Sequence, residues 1–315
     1  MRDSFPKRVA VVGPGALGCL LATALCRTGR EIWVLDHDSH RADLLQHSGL
    51  TLERVGQFEH FPIQATADAR QIGPVDLVLL CVKSPALGRT LPSLLPLLTE
   101  NSLLLAWQNG IGHLSVLHGA ELPGLVALAV TSLGAHLVDP GRVRFGGEGA
   151  TSLGFLGEAS PEARLSLERV AKCFRAAGLE VRVEADILAQ VWNKLLINVG
   201  INALTAIHNC ENGALLRNGE ALAVMRAAVL EAACIAQAKG IAISPEPVAR
   251  TIAVCQATAS NVSSMLQDVR AKRQTEIEAI NGAVLEEARR LGLPAPANAE
   301  LFRAVKALEN GYLSK

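Results

Sequence analysis

The chain has 315 residues, half of them hydrophobic, with 30 lysines and arginines balanced by 30 aspartates and glutamates. That length suits two domains and a large buried core. The even charge offers neither a global basic field for nucleic acid nor an acidic solvating tail. Seven cysteines, at positions 19, 26, 81, 173, 210, 234 and 255, include no CxxC pair. No metal site or dithiol redox motif is therefore expected, and the thiols read as reduced, in a cytoplasmic protein.

In chain order, residues 1–8 are positively charged and 9–26 largely apolar, which superficially resembles a secretory leader. Gly13, Pro14, Gly15 and Gly18 would break the apolar helix that a leader needs. No uninterrupted apolar run approaches the ~18 residues of a membrane span, so no membrane association is expected. Arg8–Val12 reads as a strand, Ala16–Thr28 as a helix, Glu31–Leu35 as a strand and Arg41–His47 as a helix. Leu50–Gln64 reads as a strand pair or hairpin. Asp76–Val82, Ser102–Trp107 and Leu125–Val130 are continuous apolar runs of the kind buried on both faces of a parallel sheet. The glycine-rich stretch Ser132–Leu156 suggests a final antiparallel section, followed by a helix over Pro161–Ala177 and a strand over Leu179–Val183. From Asp186 onward the pattern is helical, with breaks at Asn209–Gly213, Ser244–Pro247 and Leu293–Pro296. The expected fold is α/β: a doubly wound sheet over residues 1–185, then an all-helical domain over 186–315.

Gly13-Pro14-Gly15-Ala16-Leu17-Gly18 is a GxGxxG run between the first strand and the first helix. In that setting it is the dinucleotide-binding fingerprint of a Rossmann domain. The first glycine allows the tight turn, the second lets backbone approach the pyrophosphate, and the third lets helix and strand pack closely. The helix N-terminus then offers free N–H groups to phosphate. Asp36 ends the second strand, where an acid accepts hydrogen bonds from the adenosine ribose and favours NAD. His37, His40 and Arg41 follow and suit a 2′-phosphate, so the residues alone leave NAD or NADP open. Lys83 and Asn109 follow the later strands at their carboxyl ends, where ligands bind in open α/β sheets. Each has an ordinary alternative, a solvated strand-end lysine and an Asn-Gly turn.

Lys194, Asn198 and Asn202 recur at i, i+4 and i+8 within an apolar helical run, and so share one face. Polar groups among apolar neighbours are costly unless partnered. The bland reading is a hydrogen-bonded helix contact. The chemical one is that hydride addition to a ketone leaves an alkoxide, which a lysine ammonium can polarise and protonate. Ser264 and Asp268, also i and i+4, read as lying with Glu276 on a later helical stretch, where such residues ordinarily face solvent.

Taken together, these motifs resemble the ketopantoate reductases (2-dehydropantoate 2-reductases) over essentially the full length. The most specific matches are KLLINVGINALTAIHNCENGALL, starting at Lys194, and NVSSMLQDVRAKRQTEIEAING, starting at Asn261. The resemblance implies NADPH-dependent reduction of 2-dehydropantoate to (R)-pantoate in pantothenate synthesis, in a cleft between the two domains. It implies Lys194 as general acid/base, with Asn198, Asn202, Asn212 and Ser264 on the substrate's hydroxyl and carboxylate groups. Asn109 would lie between cofactor and substrate. Lys83, Ala135 and Glu276 would fall on the cofactor side, with Glu276 near the nicotinamide ribose. One departure stands out: similar NADPH-preferring members carry arginine where this chain has His37, preceded by Asp36, so NADH stays open beside NADPH. The expected partner is a small 2-keto acid, and the apolar helical domain is compatible with a homodimer. Two alternatives remain: a reductase of another branched 2-keto acid, and a non-catalytic NAD(P)-sensing regulator. The lysine–asparagine face argues against the sensor, which needs no proton donor.

Overall fold

The computed structural model describes residues 6–313 and divides into two compact units. The first runs to Gln108 and resumes over Val116–Ile187; the second takes Asn109–Ser115 and everything from Leu188.

The first unit opens with β1 (Arg8–Val12), α1 (Ala16–Cys26), β2 (Glu31–Leu35) and α2 (Ser39–Ser48). There follow β3 (Leu50–Arg54), β4 (Gln57–Phe61), β5 (Gln64–Thr66), α3 (Ala69–Ile72), β6 (Leu77–Leu80), α4 (Leu87–Thr90) and β7 (Leu103–Ala106). After α5 (Gly112–His118) come β8 (Leu125–Thr131), β9 (Gly134–Asp139), β10 (Arg142–Gly147), β11 (Thr151–Gly154), α6 (Pro161–Ala176) and β12 (Val181–Val183). The main sheet has the order β12-β11-β8-β7-β6-β1-β2-β5, parallel from β8 to β5, with β11 antiparallel to β8. Every residue of β6 and β7 is buried, as expected for strands covered on both faces. Trp107 and Phe174 meet edge to face beneath it, with ring centroids 5.7 Å apart.

The anticipated hairpin forms as β3–β4. Its two-residue turn, Val55 (φ +48°) and Gly56 (φ +74°), has the left-handed conformation that matches the twist of paired strands. The glycine-rich stretch divides between two sheets. β11 joins the main sheet, whereas β9 and β10 form a second one with order β4-β3-β10-β9. A Cβ on Gly134 would lie 2.7 Å from the Gly146 carbonyl carbon, so glycine is what lets these two strands cross so closely. α1 packs against this second sheet and stops at Cys26, short of Thr28. The connection after β6 is helical over much of Ser84–Leu97, which the proline-interrupted sequence does not suggest.

The second unit is built from α7 (Ile187–His208), α8 (Gly219–Ala238), α9 (Pro247–Ala257), α10 (Ser264–Arg270), α11 (Ala283–Leu291) and α12 (Pro296–Leu313). α9 and α12 each begin at a proline, which suits the first helical position because its missing N–H has no intrahelical role there. α8 is long and apolar enough to span a bilayer by length and composition, with 44% of its most apolar window buried within the protein. It packs against α9, α11 and α12. Its Glu231 accepts the Ala297 and Asn298 N–H groups at 2.8 and 3.0 Å, which satisfies orphan donors at the start of α12. Between α10 and α11 the helical expectation fails. Lys272 adopts φ +52°, and regular structure resumes only as a single π-helical turn over Glu278–Gly282.

Candidate active site

The glycine loop follows β1, where Gly13 N–H donates to Leu35 O at 3.0 Å and Gly15 N–H to Gly13 O at 2.8 Å. Gly13 has φ +90°, and a Cβ there would meet the Val82 backbone nitrogen at 2.9 Å. A Cβ on Gly18 would lie 2.3 Å from Gly13 O. Both glycines are therefore required by the packing of protein on protein. Gly15 differs: it is exposed, and a Cβ there would have nothing within 4 Å. Behind it α1 starts without a side-chain cap, so the first N–H groups of the helix keep no side-chain acceptor. Pro14, Ala16 and Leu17 complete this loop and first turn, and Gly18 is buried within α1. An open glycine in front of uncapped helix N–H groups is the donor set that fits a dinucleotide pyrophosphate.

Asp36 lies at the end of β2 and is 1% exposed. Its carboxylate is gripped by Arg41, which donates through Nε to Oδ2 and through Nη2 to Oδ1, the latter at 2.6 Å. Asp38 N–H and His37 Nδ1 also approach Oδ1, at 3.1 and 3.2 Å, while the His37 ring stays exposed. The pairing raises the Arg41 pKa, first through its hydrogen bond to Asp36 and against partial burial. Lys83 is exposed and precedes a short 3₁₀ turn at Ser84–Ala86. Ala135 is half-buried on β9, opposite Phe145 in the second sheet. Gln108 clamps the carboxyl end of the neighbouring strand β6, its amide donating to Leu80 O and Val82 O at 2.8 Å each.

In the second unit a chain of polar contacts runs through three distant segments. Lys194, half-buried on α7, donates from Nζ to Asn109 Oδ1 at 2.8 Å. Asn109 Nδ2 donates to Glu276 Oε2 at 3.0 Å. Burial pushes the Lys194 ammonium down to about 8, and the Glu276 carboxylate opposes that fall. Asn109 is held by its neighbours: Ile111 N–H donates to Ala279 O at 3.0 Å, and Gly110 has φ +77°. A Cβ on Gly110 would lie 2.0 Å from Ala279 O, so only glycine lets this turn lie on the π-helical segment. Glu276 is itself 7% exposed and sits in the non-helical stretch after α10, not on a helix with Ser264.

Asn198 is half-buried and Asn202 buried, one and two turns along α7 from Lys194. Asn212 opens the 3₁₀ turn Asn212–Arg217 and is buried against the C-terminal end of α9, where its Nδ2 donates to Thr258 Oγ1 at 2.9 Å and its N–H to Asn261 O at 3.0 Å. Its Oδ1 has no donor among the described residues. Ser264 is exposed at the start of α10, which Ser263 caps by accepting Leu266 N–H at 3.1 Å. Asp268 is buried and paired with Arg273 at 3.2 Å, contrary to its reading as a surface helix residue. Reading the sequence missed the Arg41 pairing, the Gln108 clamp and the Ala279 contact. The short spacing from Asp36 to Arg41 is the one sequence signal among them. No group of histidine, cysteine, aspartate and glutamate residues suited to a metal gathers among the described residues.

Two family models match the chain, "Ketopantoate reductase PanE/ApbA" over residues 9–158 and "Ketopantoate reductase PanE/ApbA C terminal" over 186–309. A 2-dehydropantoate 2-reductase of Halobacterium salinarum is 35% identical over 92% of this chain and 94% of its own. The chain belongs to the ketopantoate reductase family. The 2-dehydropantoate 2-reductase of Vibrio cholerae is 31% identical over 96% of this chain and 98% of its own. The solved PanE/ApbA-family ketopantoate reductase of Ralstonia eutropha superposes with a TM-score of 0.88 at 29% identity, covering 97% of this chain and 99% of that one. As a member of the ketopantoate reductase family, the protein is an oxidoreductase.

Proposed function

We propose that the protein reduces 2-dehydropantoate to (R)-pantoate, a step of pantothenate synthesis, with NADPH as the hydride donor. The observation that carries this reading is the chain Lys194–Asn109–Glu276, in which a half-buried lysine shares its helix face with the amides of Asn198 and Asn202. Bound cofactor supplies the hydride to the keto carbon. Lys194 polarises the carbonyl and gives its proton to the oxygen as the alkoxide forms, then recovers a proton from water. Asn109 Oδ1 accepts from Nζ and so fixes where that proton points. The amides of Asn198, Asn202 and Asn212, with the Ser264 hydroxyl, take the substrate's hydroxyl and carboxylate groups. The Asn212 Oδ1 acceptor suits a substrate hydroxyl. The first unit serves the cofactor through the loop Gly13–Gly18 with Asp36, His37, Lys83 and Ala135, and Glu276 faces the nicotinamide ribose.

NADPH is favoured over NADH by the Asp36–Arg41 pair. An unpaired acid at the end of β2 would repel a 2′-phosphate, but here Arg41 matches its charge and His37 stands exposed beside it. All seven cysteines are unpaired thiols, which fits a reducing, cytoplasmic compartment.

The test is an assay of 2-dehydropantoate with NADPH and NADH in parallel, on the parent enzyme and on Lys194→Ala. The expected result is turnover with preference for NADPH, and a kcat lowered roughly 10²–10⁴-fold in the variant. Near-normal turnover by Lys194→Ala would overturn the lysine's role. Faster reduction of 2-ketoisovalerate would move the substrate to another branched 2-keto acid. Tight cofactor binding without turnover of any 2-keto acid would make the protein a sensor.

A further inference from the structure

The Glu276 carboxylate reaches Asn109 from a stretch that has no helical ladder of its own, between the end of α10 and the π-helical turn. α12 holds that stretch in place. Glu309, 1% exposed, accepts both the N–H and the Oγ1 hydroxyl of Thr275 on one carboxylate oxygen, each at 2.7 Å. Its other oxygen forms an ion pair with Lys306 Nζ at 2.9 Å, and Lys306 Nζ donates a hydrogen bond to Glu278 Oε1 at 2.9 Å. One turn on, the Tyr312 hydroxyl donates to Arg273 O at 2.9 Å. Thr275 Oγ1 in turn accepts Ile277 N–H at 3.2 Å. The residues on both sides of Glu276 are thus tied, directly or through Lys306, to one buried acid.

A buried carboxylate is a poor way to gain stability, because desolvation offsets much of what its partners return. Its donors here converge on the residue next to Glu276. Displacing a reacting group by about 1 Å can cost on the order of 10²-fold in rate. We propose that Glu309 is a positioning residue for the reduction, holding Thr275 so that Glu276 meets Asn109 and, through it, Lys194. This rests on the reading of Lys194, Asn109 and Glu276 as the machinery of the reaction. Glu309 serves Thr275 as an acceptor, and its charge answers Lys306. Burial pushes its carboxyl pKa up, but the Thr275 hydroxyl and Lys306 bring it below the ordinary value, so the acceptor is ionised at neutral pH.

Two substitutions separate acceptor from charge. Glu309→Gln keeps an oxygen for both Thr275 donors; Glu309→Leu removes it. Each is measured for kcat and KM, for melting temperature, and for titration of Lys194, followed by NMR or by pH-dependent lysine modification without cofactor or substrate. Asn109 and Glu276 face Lys194, and only Glu276 carries charge. In Glu309→Leu, kcat falls about 10²-fold and Lys194 titrates below its parent value, because Glu276 no longer stands opposite it. Glu309→Gln recovers most of both. Thr275→Val repeats the defect, and combining it with Glu309→Leu adds little, as for two members of one contact. Should Glu309→Leu not fold, Thr275→Val carries the same reading. Parent-like kcat and parent-like Lys194 titration in a folded Glu309→Leu would overturn the proposal, as would a lower melting temperature with neither change. If the parent enzyme fails to reduce 2-dehydropantoate, the functional reading falls, while the Lys194 titration still decides the positioning.

Discussion

Two glycine segments in this molecule look alike in sequence and do opposite things. In Gly13–Gly18 the outer glycines are consumed by contact with the protein itself, and the middle one, Gly15, faces open space. In Asn109–Gly112 both glycines are consumed: Gly110 lies on Ala279 O and Gly112 on Ala279 Cα. The first pattern leaves backbone available to something from outside. The second fastens backbone to the molecule's own π-helical turn so that one side chain, Asn109, is delivered to Lys194 and Glu276. A glycine motif thus announces close approach, and only the surroundings say whether ligand or protein is approaching.

The largest effect is expected at the fastened segment. Gly110→Ala needs a left-handed backbone with a side chain and drives its Cβ into Ala279 O. It should cost roughly 3 kcal/mol or more in denaturant unfolding, and lower kcat about 10²-fold in what remains folded. Parent stability in that variant would break the contrast between the segments. The next effect is electrostatic. On the proposed mechanism reduction needs the Lys194 ammonium, whose pKa burial lowers to about 8, so kcat/KM should fall close to tenfold per pH unit above that value. Glu276→Gln removes the charge that holds the ammonium up, and the same limb should move to lower pH. A limb that stays put would detach Glu276 from Lys194. The smallest effect sharpens the comparison at the glycine loop. Gly18→Ala should destabilise the fold, whereas Gly15→Ala should leave stability within about 0.5 kcal/mol. In Gly15→Ala, cofactor Kd should rise roughly tenfold, about 1.4 kcal/mol, measured by fluorescence titration. Equal cofactor affinity would mean that nothing approaches Gly15.

Much of the first unit was legible because local pattern and global burial agree there. The runs LVLL and LLLA at Leu77 and Leu103 have no polar face, and strands of the parallel sheet are where such runs belong. The β9–β10 pair was legible as antiparallel but not as leaving the main sheet. Its pairing with β3, from residues far earlier in the chain, leaves no periodic trace. Among the candidate site residues, the placing of Lys194, Asn198 and Asn202 one and two turns apart on α7 was legible through helical spacing alone. Asn109 and Glu276 were singled out too, yet their joining was not, since a hydrogen bond between residues 167 positions apart has no sequence signature. Asp36 shows the opposite failing. The acid was recognised, but its meaning changes once Arg41 occupies both of its oxygens, a fact of rotamer and burial rather than of spacing.

The assignment of Asn109–Ser115 to the helical unit bears on how this protein can be taken apart. The helical unit is not a continuous stretch of chain, so a fragment starting at Leu188 would carry the lysine and the glutamate but not the amide that joins them. It would also bare the Ala279 carbonyl that Ile111 N–H satisfies. The same holds for recombination with a relative: a chimaera joined at Leu188 takes its asparagine from one parent and its lysine from the other. Only parents alike in the Asn109–Gly112 turn and in the Ala279 segment should exchange halves and keep that chain of hydrogen bonds whole.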